Sequence, residues 1–138
     1  MKKSKLLFTL LFVSIISIEA TSKHSIQTGT WVAPESANAL KNPLSGNSSA
    51  TTEGKILYAK YCVVCHGATG KGDGVAAAAL AIPPANHASA KVQSQSDGAI
   101  FWKITNGRGA MASYKTTFTD QQRWQLVNYI RTLAKAPK

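Results

Sequence analysis

The residues with the most chemical capacity stand in "YCVVCHG", Tyr61 to Gly67, where Cys62 and Cys65 are three apart and His66 follows the second directly. Thiols at this spacing serve a redox disulfide, a metal, a structural pair or a covalent haem. A thioredoxin-type pair requires a βαβ context, and nothing in the chain alternates with a period of two for long enough to make a strand. A zinc site requires a second pair of ligands, whereas this chain has two cysteines and three histidines, with His24 and His87 far from the motif. A structural pair leaves His66 unexplained. CxxCH is the signature of covalent c-type haem attachment, and its spacing has a mechanical basis. Residues i and i+3 of a helical turn project from one side, so both sulfurs can reach the vinyl groups of one porphyrin edge. His66, one residue on, can then reach the iron from the proximal face.

Helices must hold these groups. "TTEGKILYAKYCVVC" predicts a helix over 52–63, with Thr51 or Thr52 as N-cap and Glu53 suited to the positive end of the helix. Gly54 within it costs about 1 kcal/mol against alanine, which points to another backbone packing closely there. "GATGKGDG" reads as a loop, followed by a helical "VAAAAL" and the breaker "IPPAN". A second helix is expected at 97–106, capped by Asp97, with Ile100, Phe101 and Ile104 as its apolar stripe and Gly107 at its end. After the loop "RGAMASYKTTF", the last helix opens with Thr119 as N-cap and places Leu126, Val127, Ile130, Leu133 and Ala134 on one face. The fold class is therefore all-α, small, with three to four short helices and long loops. A domain of about 85 residues usually needs a staple. Cysteines within one turn cannot form a long-range disulfide, so a bound group must complete the core.

The ends of the chain read differently. "MKKSK" followed by the apolar run Leu6–Ile18 has the form of a secretory signal over residues 1–20, with cleavage after Ala20 or Ser22. The run is short for a membrane span, so an uncleaved tether is the secondary reading. Export places the protein in the periplasm or an equivalent compartment. Residues 21–50, rich in Ser, Asn, Pro and Gly, read as an extended leader or linker, in which Trp31, Val32 and Leu40 are expected to pack either onto the domain or onto a partner, the latter making the segment a docking arm. The domain proper is 51–138. The chain carries 16 basic and 6 acidic side chains; without Lys2, Lys3, Lys5 and Glu19 of the signal, 13 and 5 remain, a net of +8. The lysines are scattered rather than in a run. In an exported protein they point to an acidic protein partner rather than to nucleic acid.

Segment 51–134 resembles the class I, monohaem c-type cytochromes, in "GKILYAKYCVVCHGATGKGDG", then "IPPAN", "GRGAM" and "QQRWQLVNYIRTL", in the family's order. The resemblance implies the small cytochrome c fold wrapped around one haem c, attached through Cys62 and Cys65. It implies His66 and Met111 as the iron ligands, Met111 being the only methionine besides the initiator. Gly107 and Gly109 would let the Met111 loop approach the haem, and Ala112 stands where the family commonly has proline. The carbonyl accepting from the other nitrogen of His66 would be that of Pro83 or Pro84. Trp102 and Arg108 stand where the family contacts haem propionates, with core packing the competing role for Trp102 and a solvated charge for Arg108. Trp124 and Tyr129 would pack the last helix on the first, across Gly54. The implied activity is single-electron transfer between redox proteins, without catalysis. The alternatives are a haem subunit docked in a respiratory or dehydrogenase complex through residues 21–50, and a ligand-sensing haem with a labile Met111.

Overall fold

Two helices crossing at a glycine organise the molecule. The computed structural model describes residues 29–135, so the expected signal segment 1–20, its expected cleavage positions and His24 lie outside the described residues. Among the described residues six α-helices follow one another: α1 (Glu35–Asn38), α2 (Ser48–Tyr61), α3 (Val63–His66), α4 (Ala90–Gln93), α5 (Asp97–Asn106) and α6 (Asp120–Thr132). Single 3-10 turns cover Ala77–Ala79 and Leu133–Lys135. Among the described residues the only β-type pairing is the bridge between Arg108 and Met111. The all-α class is as expected, and α2, α5 and α6 are the expected helices, although Ser96, accepting from the Ala99 amide at 3.0 Å, caps α5 in place of Asp97. None of the described helices is long and apolar enough to cross a membrane.

α2 and α6 pack face to face with Gly54 at the crossing. A Cβ there would lie 1.9 Å from the Gln125 carbonyl oxygen and 3.1 Å from Tyr129 Cβ, so only glycine permits this approach. Tyr129 packs on Tyr58 of α2 with ring centroids 5.0 Å apart. Trp124 turns the other way and stacks on Phe101 of α5, at 4.0 Å and 16°. Tyr129 thus holds α6 to α2 as expected, whereas Trp124 joins α6 to α5. Tyr58, Ile100, Ile104, Phe118, Leu126, Val127 and Ile130 form the continuous core between the three helices.

α2 begins earlier than its periodicity suggests. Asn47 is the N-cap and accepts from the Ala50 amide at 3.0 Å, while Thr51 and Thr52 lie inside the helix and bond back to carbonyls one turn earlier. The Ser and Asn cluster read as linker is thus a helix start, because the same residues favour both. "VAAAAL" forms only the 3-10 turn.

The described part of the leader, residues 29–47, is packed rather than extended. α1 crosses α5 at Gly98, where a Cβ would lie 2.0 Å from the Ala37 carbonyl oxygen. Ala33, Ala37 and Ala99 form a small buried cluster there. Asn42 Nδ2 donates to Asp97 Oδ2 and to Asn128 Oδ1, each at 2.8 Å, and Asn128 Nδ2 donates to the Leu44 carbonyl at 2.6 Å. Arg131 completes the network on Asp97 Oδ1 and the Gln93 carbonyl. These polar side chains bind the segment to α5 and α6, a role that composition alone does not distinguish from that of a solvated linker.

Candidate haem-binding site

α2 ends at Cys62 and the chain tightens at once into α3. The amides of Cys65 and His66 donate to the Cys62 carbonyl at 3.2 and 2.8 Å, so both cysteines lie on a single turn. The glycine loop that follows folds back beneath it. Gly72 N donates to the His66 carbonyl at 2.8 Å, Gly74 N to that of Cys65 at 3.1 Å, and Ala76 N to that of Val64 at 2.9 Å. These are the carbonyls that the end of a short helix leaves without partners. The loop read from sequence as a connector is therefore the support of the attachment turn, and its signal was the glycines, which let backbone approach backbone. Burial, with Cys65 beside it, pushes the Cys62 thiol up to about 12. It is a neutral thiol, unlike the low-pKa thiolate of a disulfide exchanger.

His66 is buried, and its Nδ1 lies 3.0 Å from the Ala85 carbonyl oxygen. A carbonyl only accepts, so Nδ1 carries the proton and Nε2 keeps its lone pair. Burial lowers the ring's pKa, opposed by the Ala85 hydrogen bond, which leaves a neutral imidazole suited to a metal. The acceptor is thus Ala85 and neither Pro83 nor Pro84. The Pro84 carbonyl is turned toward Gly72, where a Cβ would meet it at 2.5 Å, and Ala85 supplies the carbonyl that faces the ring. Both prolines nevertheless line the same cavity as His66. His87 stacks on His66, with centroids 4.0 Å apart and planes 18° apart. A ring lying flat on the imidazole could not also hold a metal from the side opposite His66, so His87 is not placed as a second ligand.

Met111 closes a tight loop. Arg108 N donates to the Met111 carbonyl at 2.8 Å and Met111 N to that of Arg108 at 3.1 Å. Gly107 has φ of +63°, and a Cβ there would meet Met111 O, the Ala112 carbonyl carbon and Ser113 N, each at 2.5 Å. Gly107 therefore serves the loop's own closure, and Gly109, at φ +58° with open space around it, serves the turn. Downstream, the loop is held by a buried arginine that the sequence reading missed. Arg123 Nη1 donates to the carbonyls of Tyr114, Lys115 and Phe118 at 3.3, 3.0 and 3.1 Å. In the sequence it looks like one more exposed helix cation.

Cys62, Cys65, His66, Pro83, Pro84, Arg108 and Met111 all line one cavity of about 1380 Å³. Its deeper wall is apolar, from Ile100, Ile104, Leu126 and Ile130. Lys91, Lys103 and Arg108 also line it; burial first, then the charges of Lys91 and Arg108, lowers the pKa of Lys103. Trp102 does not line the cavity. It packs on the Ala33, Ala37 and Ala99 cluster and lies 6.4 Å from the ring of Trp31, so of its two expected roles the structure gives it core packing. Trp31 itself lines the cavity, with Lys103 and Arg108 over its ring. Two thiols on one turn, a neutral imidazole with a bare nitrogen, a thioether and an apolar wall edged by cations fit a haem with its carboxylates.

A helical domain built around a CxxCH turn in this setting is a c-type cytochrome. The chain belongs to the cbb3-type family: the family model "Cytochrome C oxidase, cbb3-type, subunit III" matches residues 49–130. Among solved structures, it is similar to a chain of the reducing HAO-like protein complex Kustc0457/Kustc0458 of Kuenenia stuttgartiensis. The two are 26% identical with a TM-score of 0.61, over 68% of this chain and 49% of the other, so this chain spans about half of that relative. The KustC0563 c-type cytochrome is 28% identical, with a TM-score of 0.51, over 58% of this chain and 95% of the other. Cytochrome CL of the marine methylotroph Methylophaga aminisulfidivorans shares the fold, at 18% identity and a TM-score of 0.55, over 72% of this chain and 68% of the other. Membership of this family implies covalently bound haem c and a part in electron transport.

Proposed function

We propose that the protein is an exported electron carrier with one haem c, which Cys62 and Cys65 would attach and whose iron His66 and Met111 would hold. The observation that carries the reading is the convergence of these four residues on one cavity. When bound, the haem supplies a one-electron ferric–ferrous couple. The protein's part is to hold it. The attachment turn, stiffened by the amides of Gly72 and Gly74, fixes one edge. Ala85 keeps the proton of His66 on Nδ1, so that Nε2 faces a metal in its neutral form. The Met111 thioether, a neutral ligand, favours the reduced state and raises the potential. Ile100, Ile104, Leu126 and Ile130 exclude water from the deeper wall, and Lys91, Lys103 and Arg108 offer their charges to the propionates. His66 and Met111 would together hold the iron and would leave it no site for a substrate, which favours electron transfer over catalysis. Export rests on the charged and apolar segments of residues 1–20, and a basic surface steers an acidic redox partner in a salt-sensitive manner.

The far-red charge-transfer band of sulfur–iron ligation tests the reading in ferric protein made with haem-maturation machinery. It is expected in the natural chain and absent in Met111→Ala, which should gain carbon monoxide binding when reduced. Carbon monoxide binding by the natural ferrous chain would instead support sensing.

A second reading, a subunit docked in a larger complex, draws on the relative from the Kuenenia complex. Residues 29–47 are engaged with α5 and α6, so docking through the leader falls to residues 21–28 or to exposed side chains such as Val32 (70% exposed). Co-purification of partners that is lost on Val32→Asp would favour it.

A further inference from the structure

We propose that Ala85 and His87 form a two-point clamp that fixes the plane of the His66 imidazole, with His87 as a positioning residue. The inference rests on His66 being the iron ligand. A hydrogen bond from Nδ1 to a carbonyl sets where one ring atom points, but carbonyl acceptors tolerate a broad range of directions. A single bond therefore leaves the ring free to rock. The second restraint is the His87 ring, at 4.0 Å and 18° against the face of His66. Any rotation of the His66 plane drives one edge of the ring into this wall.

Both restraints come from one short segment, since Ala85 and His87 are two residues apart, and that segment is itself anchored. His87 N donates to the Gly70 carbonyl at 2.6 Å. Gln93 Nε2 donates to the carbonyls of His87 at 2.7 Å and Ile130 at 3.0 Å, which ties the segment to α6. The His87 ring is held in turn by α2. The Tyr58 hydroxyl donates to the Gly67 carbonyl at 3.2 Å, and with its one proton engaged there it accepts from His87 Nδ1 at 3.3 Å. The circuit closes on Gly67, the neighbour of His66. His87, which as a spare histidine in the sequence suggests a rival ligand, thus serves the ligand already present. The orientation of a ligating imidazole and the basicity conferred on it by its outer partners tune the metal.

The test uses holoprotein and reads the ligand plane rather than electron-transfer activity. In the natural ferrous, low-spin protein, nuclear Overhauser contacts between ring protons of His66 and His87 are expected, and their absence overturns the clamp. His87→Phe keeps a flat face without the hydrogen bond, whereas His87→Leu fills similar space with no plane. The ferric electron paramagnetic resonance g values and the midpoint potential should stay close to the natural values in the Phe variant and move in the Leu variant. Leu behaving as the natural protein, or Phe moving as far as Leu, refutes the proposal. If the natural protein itself lacks low-spin ferric haem, the ligand assignment fails instead, so the two failures are distinguishable.

Discussion

Replacing Arg123 with methionine should cost about 3 kcal/mol of stability and loosen the Met111 side of the site first. The side chain is 5% exposed, and Nη1 serves three carbonyls of the 114–118 turn. A hydrogen bond from a charged donor contributes about 1.5–3 kcal/mol. The bond to Phe118 is buried and counts in full, at about 2 kcal/mol. Those to Tyr114 and Lys115 are only partly shielded, and each counts for about 1 kcal/mol. The ion pair with Asp120 adds little, since that carboxylate is 80% exposed. Methionine recovers about 1 kcal/mol by covering Phe101, on which the guanidinium now lies at 5.1 Å. Urea unfolding of the ferric holoprotein should show a lower midpoint with an unchanged slope. Tyr114 lies three residues after Met111, so the far-red ligation band should disappear at lower urea than the helical signal. A loss below about 1 kcal/mol, or simultaneous loss of band and helix, would show that water replaces the guanidinium and that Arg123 does not secure the loop.

Two other perturbations probe the helix framework. Gly54→Ala gains about 1 kcal/mol of helix propensity but sets a methyl 1.9 Å from the Gln125 carbonyl oxygen. Overpacking of about 3 kcal/mol leaves a net loss near 2 kcal/mol; a neutral or stabilising result in thermal unfolding would mean that α2 and α6 do not cross there. Tyr58→Phe loses the hydroxyl's contacts with Gly67 and His87 and should cost about 1 kcal/mol at neutral pH. Burial raises Tyr58 above its ordinary value of 10.0. An acid raised on folding stabilises fully below its unfolded pKa, and that stability is lost above it. The natural protein should therefore lose up to about 1.4 kcal/mol per pH unit beyond about pH 10 through this group, while the Phe variant does not. The gap between them should close as pH rises, and a constant gap would contradict a buried, neutral Tyr58.

Much of this was legible because local and long-range signals agreed. Thr119 caps α6 and, with Gln122, forms a reciprocal capping box ahead of an unbroken apolar stripe. CxxCH announces its ligand because two thiols and an imidazole on one turn have few other uses. What escaped the sequence depended on which of several chemically equal groups wins a contact. Any carbonyl near the diproline could have accepted from His66 Nδ1, and with the Pro84 carbonyl turned toward Gly72 it is Ala85 that does so. The roles of Asn42, Asn128 and Arg131 escape the sequence because nothing in a polar side chain's identity says that its partner lies tens of positions away. Trp102 had two plausible neighbourhoods, and the packing of α1 at Gly98 settles which it occupies.

The Met111 loop shows how one missing residue can be replaced by several contacts. Proline after the methionine would restrict a single φ and remove one donor; Ala112 does neither, and in isolation it predicts a looser loop. Here the same stretch is sewn to the C-terminal end of α5 just after that position. Gly107 lies against the backbone of Ala112 and Ser113, Ser113 Oγ donates to the Thr105 carbonyl at 2.7 Å, and Tyr114 N donates to that of Ile104 at 3.1 Å. Arg123 then fixes the next turn to α6. Closure is thus distributed over α5 and α6 instead of resting on one ring. It follows that the position of the Met111 loop is coupled to the packing of the two helices that also wall the cavity. A substitution in that shared wall, at Ile104 or Leu126, should act on the core and the Met111 loop together, whereas the His66 side rests on its own glycine loop and on the 85–87 segment, which Gln93 ties to α6 at the Ile130 carbonyl.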